Sequence, residues 1–73
     1  MVEIIIYSEP LTLGQFLKFS GLILSGGEVK NFIENNEVLV NGVHETRRGK
    51  KLFSGDLIVV NNKKYVLKIK NAD

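Results

Sequence analysis

Residues 37–51 decide the fold and read Glu-Val-Leu-Val-Asn-Gly-Val-His-Glu-Thr-Arg-Arg-Gly-Lys-Lys. Asn41-Gly42 follows three apolar residues, and this dipeptide readily supplies the two positive-φ positions of a type I′ turn. The pattern predicts a tight hairpin whose return strand covers residues 43–46. Four cations follow, with Gly49 among them to let the backbone bend: Arg47, Arg48, Lys50 and Lys51. The sequence therefore predicts a rigid ribbon beside a concentrated positive charge.

Charge is distributed unevenly along the chain, although the net charge is only +2. Residues 1–46 contain two Lys and six Glu, whereas residues 47–73 contain eight cations and two Asp. Such asymmetry favours a polyanionic partner, nucleic acid before an anionic membrane. A membrane surface fits poorly because the cations are not arranged along an amphipathic helix. A lysine-rich surface that only keeps the protein soluble would explain the same charges.

Length and composition indicate one small globular domain covering residues 1–73. Hydrophobic residues make up 44% and charged residues 25% of the chain, so we expect an ordered core. The lack of Cys excludes a disulfide and a thiolate zinc site. Because neither a signal peptide nor an apolar run long enough to span a bilayer is recognisable, we expect a cytoplasmic protein. We also expect a monomer.

Two helix starts share a capping-box pattern followed by apolar residues at helical spacing. The boxes are Thr12 with Gln15 and Ser25 with Glu28, and the hydrophobic staples are Leu11 with Phe16 and Leu24 with Val29. They predict helices over residues 13–20 and about 26–35, the second closed by a left-handed residue at Asn35-Asn36, and apolar runs predict strands over residues 2–7, 57–60 and 65–70. Residues 71–73 are expected to form a frayed end. Helices this short must pack on the sheet, so the predicted fold is α+β: two short helices on a small bent antiparallel or mixed sheet, with an extra N-terminal strand.

Residues suited to catalysis do not converge in this sequence. His44 is the only His, and no Ser, Cys or second ligand residue stands at a motif spacing from it. Capping explains Glu28, and we interpret Glu34, Glu37 and Glu45 as exposed solubilising groups. We therefore predict no enzyme activity, no cofactor and no metal site; an enzyme of a new kind is the most distant alternative.

Gly26 and Gly27 open the second predicted helix, where N–H groups are unpaired and the helix dipole is positive. Without Cβ atoms these residues would let a phosphate approach closely, and Lys30 could meet the same phosphate. A flexible connector before a capped helix, with Lys30 merely solvated, accounts for the same residues.

Aromatic residues offer little for stacking on unpaired bases. We expect Phe16, Phe32 and Phe53 to be needed in the core, while Tyr7 and Tyr65 lie in predicted strands. A nucleic-acid partner would then be bound through its phosphates and its shape, which favours a folded RNA.

Four motifs follow one another within residues 13–60: Leu13-x-x-Phe16-Leu17, Ser25-x-x-x-Val29-Lys30-x-x-Ile33, Val38-x-Val40-Asn41-Gly42 and Gly55-Asp56-x-Ile58. The Val-Asn-Gly turn and the later Gly-Asp-x-Ile together are the most specific part of this pattern. The pattern resembles the S-four domain, a small RNA-binding module named after small-subunit ribosomal protein four and also called the alpha-L motif.

The resemblance implies a stand-alone domain that binds structured RNA through its second helix and the adjacent hairpin. Many members have Arg directly after the Ser, where this chain has Gly26, so more of the affinity is expected from residues 47–51. With the two glycine amides included, the predicted RNA-binding residues are Ser25, Gly26, Gly27, Lys30, Asn41, Arg47, Arg48, Lys50 and Lys51. We interpret Gly42 and Asp56 as structural.

These patterns together predict non-catalytic binding of structured RNA, ribosomal RNA first and transfer RNA second. A ribosome-associated or assembly role follows by analogy with the family. The alternative is a protein-interaction module whose basic hairpin docks on an acidic protein partner.

Overall fold

Two short helices pack against one face of a five-stranded sheet in a computed structural model that describes residues 1–70. The frayed end expected for residues 71–73 lies outside the described residues. The strands are β1 (Val2–Ile6), β2 (Leu11–Thr12), β3 (Val38–Val40), β4 (Val43–His44), β5 (Lys51–Leu52), β6 (Leu57–Val60) and β7 (Lys63–Ile69). The helices are α1 (Leu13–Phe19) and α2 (Val29–Asn35), and a 3-10 turn over Gly26–Glu28 leads into α2.

The sheet is mixed, with the strand order β1-β7-β6-β3-β4. The extra N-terminal strand lies at one edge, where β1 pairs in parallel with β7 from Val2 opposite Tyr65 to Ile6 opposite Ile69. All other pairs in this sheet are antiparallel. The predicted α+β class and the extra N-terminal strand are confirmed.

Both hairpins of the sheet turn on positive-φ residues. Asn41 and Gly42 have φ values of 51° and 84°, so the predicted turn between β3 and β4 is confirmed. Asn61 and Asn62, with φ values of 49° and 72°, make the turn between β6 and β7. Asn and Gly are the residues that reach this region at least cost, which explains why both turns have this composition.

The core lies between the helices and the sheet. α1 buries Leu13, Phe16 and Leu17, α2 buries Val29 and Ile33, and alternate residues of the strands face them. The Phe16 and Tyr65 rings meet edge to face with their centroids 5.4 Å apart. Burying one such side chain stabilises the fold by about 1.5–3 kcal/mol. No helix within residues 1–70 is both long enough and apolar enough to cross a membrane.

Two local predictions at the ends of the second helix fail. Leu24 is 92% exposed, so it does not form the staple with Val29. The Glu28 carboxylate instead accepts the Leu24 and Ser25 N–H groups at 3.0 and 2.9 Å, and these bonds fix the entry to α2. At the other end the predicted left-handed residue at Asn35-Asn36 is absent, since Asn36 is extended and its side chain donates to the Phe32 carbonyl at 2.8 Å.

Candidate nucleic-acid interface

The cations Arg47, Arg48, Lys50 and Lys51 lie on a tight turn, residues 47–51, which we call the basic loop. The Lys50 N–H donates to the Arg47 carbonyl at 3.1 Å and closes this turn. The Leu13 and Gly14 N–H groups donate to the Lys50 and Arg48 carbonyls at 2.8 and 3.0 Å. The first N–H groups of a helix have no hydrogen-bond partner inside it. The carbonyl groups of the basic loop supply these partners for α1, and the same bonds hold the loop in place.

A second small sheet fixes the same loop from its C-terminal side. β2 and β5 pair with Leu11 opposite Leu52 and Thr12 opposite Lys51. The predicted capping box of α1 is present, since the Gln15 N–H donates to Thr12 Oγ1 at 3.2 Å and the Thr12 N–H donates to Gln15 Oε1 at 2.9 Å. The backbone of the basic loop is thereby held against the buried start of α1.

Glu45 organises the entry to the basic loop, contrary to our expectation of an exposed solubilising group. Its side chain is only 10% exposed and forms a bidentate pair with Arg47, with Nε and Nη2 donating at 3.0 and 3.1 Å. The same carboxylate accepts the Thr46 and Arg47 N–H groups at 3.1 and 2.9 Å. The guanidinium bond, followed by the Arg47 N–H bond, lowers the pKa of Glu45 to about 2, and Glu45 raises the pKa of Arg47.

A groove of about 410 Å³ joins α2 to the basic loop. It is lined by Lys30, Ile33 and Glu34 of α2 and by Thr46 and Arg48. Two predicted RNA-binding residues that are far apart in the sequence, Lys30 and Arg48, therefore meet in one concave surface.

The opposite side of the basic loop faces the hairpin turn. A cavity of about 540 Å³ is lined by Arg47, Gly49, Lys50, Lys51 and Phe53. An adjoining cavity of about 450 Å³ shares four of these residues and extends to Asn41 and Val43 of the hairpin. The predicted cations thus lie along two concave surfaces, one on each side of the loop.

Phe53 was expected in the core and is instead 46% exposed. Its neighbour Leu52 is fully buried, and successive residues of an extended chain point to opposite sides. That alternation is the sequence signal that places Phe53 outside, among the cations. The sequence does not show this directly, because two adjacent apolar side chains, Leu52 and Phe53, are both suited to the core.

Asn41 has a structural role at the hairpin turn, whatever else it contacts. Its side chain donates to Asp56 Oδ1 at 3.1 Å and accepts the Leu57 N–H at 3.0 Å. Asp56 also accepts the Phe53 N–H through Oδ2 at 2.8 Å, in agreement with the structural role predicted for it. A role for Asn41 in RNA binding stays a prediction.

Ser25, Gly26 and Gly27 lie at the exposed start of the 3-10 turn and are not among the residues lining the Lys30–Arg48 groove. The Glu28 carboxylate occupies this helix start, which reduces its attraction for a phosphate. An RNA contact at these three residues stays a prediction.

His44 is the residue on which the least favoured alternative, an enzyme of a new kind, would depend. Its Nε2 atom lies 3.9 Å from Glu37 Oε2, and no group of three metal-ligating side chains occurs within residues 1–70.

Comparisons with known proteins identify the fold family. A family model described as "S4 domain" matches residues 4–68. The chain is 49% identical over 53 residues to the "Probable ribosome maturation protein RlbA" of Bacillus subtilis (strain 168), across 73% of this chain and 75% of that protein. No solved structure gives a significant match. The resemblance carried by the hairpin and helix motifs is confirmed: the chain belongs to the S4 domain family.

Proposed function

We propose that this protein binds structured RNA without catalysis, and that it acts on ribosomal RNA in a ribosome or a ribosome precursor. Membership of the S4 domain family and the similarity to a protein named as a ribosome maturation protein support a ribosome-associated or RNA-binding role. In this proposal residues 1–73 act as one domain, in the cytoplasm, and transfer RNA is the second candidate ligand.

The observation that carries the proposal is the meeting of Lys30 and Arg48 in one groove. A cation from α2 and a cation from the basic loop would contact the same stretch of RNA backbone, because both line a single concave surface. Guanidinium and ammonium groups form charge-assisted bonds with phosphate oxygens, and such contacts set the position of a protein on nucleic acid.

The second contact surface is formed by Arg47, Lys50 and Lys51 on the other side of the loop. Arg47 is paired with Glu45, but its side chain is still 71% exposed and keeps donors free for a phosphate. The fixed backbone of the loop means that little ordering entropy is lost when RNA binds.

The test is binding of the purified protein to ribosomal RNA fragments, transfer RNA and a matched DNA duplex across a salt series. We expect RNA to be preferred, with log K falling against log salt at a slope of roughly −3 to −5, which corresponds to about four to six neutralised phosphates. Absent binding, or equal binding to all three polyanions, would contradict the proposal and favour an acidic protein partner.

A further inference from the structure

We propose that Phe53 is a stacking platform for one unpaired base, so that the RNA recognised here contains an unpaired nucleotide beside a helical segment. This inference rests on the proposed function and deepens it. It also differs from the expectation drawn from the sequence, which is that the protein contacts only the phosphates of the RNA and recognises its shape.

Phe53 stands in a site suited to a nucleotide. The ring lines a cavity of about 540 Å³ together with Arg47, Lys50 and Lys51. The depression is open to solvent, so that an unpaired base could reach the ring directly. An aromatic face beside cations provides stacking for a base and charge for its phosphate, which is how proteins bind single-stranded segments.

The backbone around Phe53 is fixed before any ligand arrives. The Phe53 N–H donates to Asp56 Oδ2 at 2.8 Å, and the Phe53 carbonyl accepts the Asp56 N–H at 3.1 Å. The next N–H, that of Ser54, donates to Glu9 Oε2 at 2.7 Å. Leu52 on the other side is fully buried. An exposed ring on so constrained a backbone is organised for contact with a partner.

The surroundings of the other exposed aromatic residues differ. Tyr7 and Phe19 are 73% and 64% exposed, and they share a groove with Glu3 and the isoleucines of β1. No cation lines that groove within the described residues 1–70. Of these three rings, only Phe53 has cations beside it: Arg47, Lys50 and Lys51 line its surroundings, and the nearby Glu45 and Asp56 carboxylates are engaged by Arg47 and by the Phe53 N–H. Phe19 provides a matched control.

The affinity test uses a hairpin RNA with one bulged adenosine and the same hairpin without the bulge. Phe53→Leu keeps the apolar bulk and removes the aromatic face. We expect it to weaken binding of the bulged RNA roughly fivefold to a hundredfold, the range for loss of one base–aromatic stack, and to leave binding of the paired RNA within about twofold. Phe19→Leu should change neither.

A fluorescence test covers the case in which Phe53→Leu does not fold. The chain has no Trp, so Phe53→Trp introduces a single reporter that keeps the aromatic face. We expect the bulged RNA to quench its emission more strongly than the paired RNA does, whereas Phe19→Trp should respond equally to both.

The outcomes separate this inference from the proposed function. Suppose that the wild-type protein binds the hairpin RNAs. If Phe53→Leu then binds both as tightly as wild type does, or binds both more weakly by the same factor, the stacking role is wrong and the RNA-binding function stands. Equal quenching of Phe53→Trp by the two RNAs would also overturn it. If the wild-type protein binds neither these hairpins nor any RNA of the salt series, both proposals fall.

Discussion

The basic loop and the segment formed by strand β7 and Lys70 carry equal formal charge in different arrangements. The loop holds four cations, and β7 with the residue after it holds four lysines, which we call the strand lysines: Lys63, Lys64, Lys68 and Lys70. The loop backbone is bonded to the start of α1, and Arg47 is fixed by Glu45. Among the strand lysines, Lys68 forms a single contact to Glu3 at 3.2 Å, with both side chains more than half exposed.

This difference shows that a count of charges does not locate a binding site. Exposed lysines on a strand attract any polyanion, but each must be ordered separately when it makes a contact. Both backbones are fixed, since β7 pairs with β1 and β6, but the loop cations also line concave surfaces, and the Arg47 side chain is already held by Glu45. We therefore expect the loop to bind RNA and the strand lysines to contribute mainly long-range attraction.

The largest expected difference in RNA affinity is between charge reversal in the basic loop and charge reversal at the strand lysines. Arg48→Glu with Lys50→Glu should weaken RNA binding by about a hundredfold, because two charge-assisted phosphate contacts are lost. Lys64→Glu with Lys70→Glu changes the net charge equally and should cost no more than about threefold. The measurement is RNA affinity at physiological salt, with thermal unfolding to show that both variants are folded. Equal losses would mean that overall charge, not the loop, determines binding.

The elements predicted correctly from the sequence depend on residues close together in the chain. The Asn41-Gly42 turn and the Thr12–Gln15 capping box are local patterns. The hydrogen bonds and backbone angles that form each of them involve only four consecutive residues. The β2–β5 pair was not predicted, since each strand has only two residues and the pairing joins segments about forty residues apart. That pairing, however, is what places the basic loop.

The candidate site was predicted by residue type and not by arrangement. The four loop cations and Lys30 were recognisable, but only the fold brings Lys30 to Arg48. Glu45 and Arg47 carry opposite charges two positions apart, a spacing that puts side chains on the same side of an extended chain and could have predicted their pairing. The predicted staple of Leu24 with Val29 is wrong for a different reason. The Glu28 carboxylate alone fixes the start of the helix and leaves Leu24 in solvent.

The second expected effect concerns the hairpin turn that leads into the loop. Gly42 has φ +84° and no atom within 4 Å of the position of a Cβ, so substitution there tests the backbone conformation alone. Gly42→Val should lower the free energy of unfolding by about 1–3 kcal/mol, since a β-branched residue resists positive φ. Chemical denaturation measures this change, and RNA affinity should fall with it at temperatures where the hairpin opens.

The turn before the strand lysines supplies the control for this prediction. Asn62 occupies the position equivalent to Gly42, with φ 72°, so Gly42→Asn should cost clearly less than Gly42→Val. Gly49→Ala, in the loop itself, lies outside the left-handed region and also has open space, so we expect a change within about 0.5 kcal/mol. A loss for Gly49→Ala as large as that for Gly42→Val would show that backbone conformation is not the cause.

The smallest expected effect compares the two ion pairs, Glu45 with Arg47 and Glu3 with Lys68. Because the pKa of Glu45 in the folded protein, about 2, lies below the ordinary value of 4.5, the pair contributes stability that is fully present above pH 4.5. This contribution is lost as the pH falls from 4.5 towards 2. An NMR titration of the Glu45 carboxyl should therefore show a midpoint far below 4.5, and a midpoint near 4.5 would mean that the pair is not formed.

The effect of Glu45→Gln on RNA affinity depends on two opposing terms. Removing an acid beside the loop cations favours phosphate by about twofold, and salt screens that gain. Losing the bidentate pair leaves Arg47 to be ordered at binding, which costs roughly twofold to tenfold. We expect the second term to dominate, so that Glu45→Gln binds RNA more weakly than wild type and the deficit grows with salt. As the control, Glu3→Gln removes the same charge beside Lys68 and should bind RNA as tightly as wild type or slightly more tightly. If Glu45→Gln also binds RNA more tightly than wild type, the loop cations act only through their number.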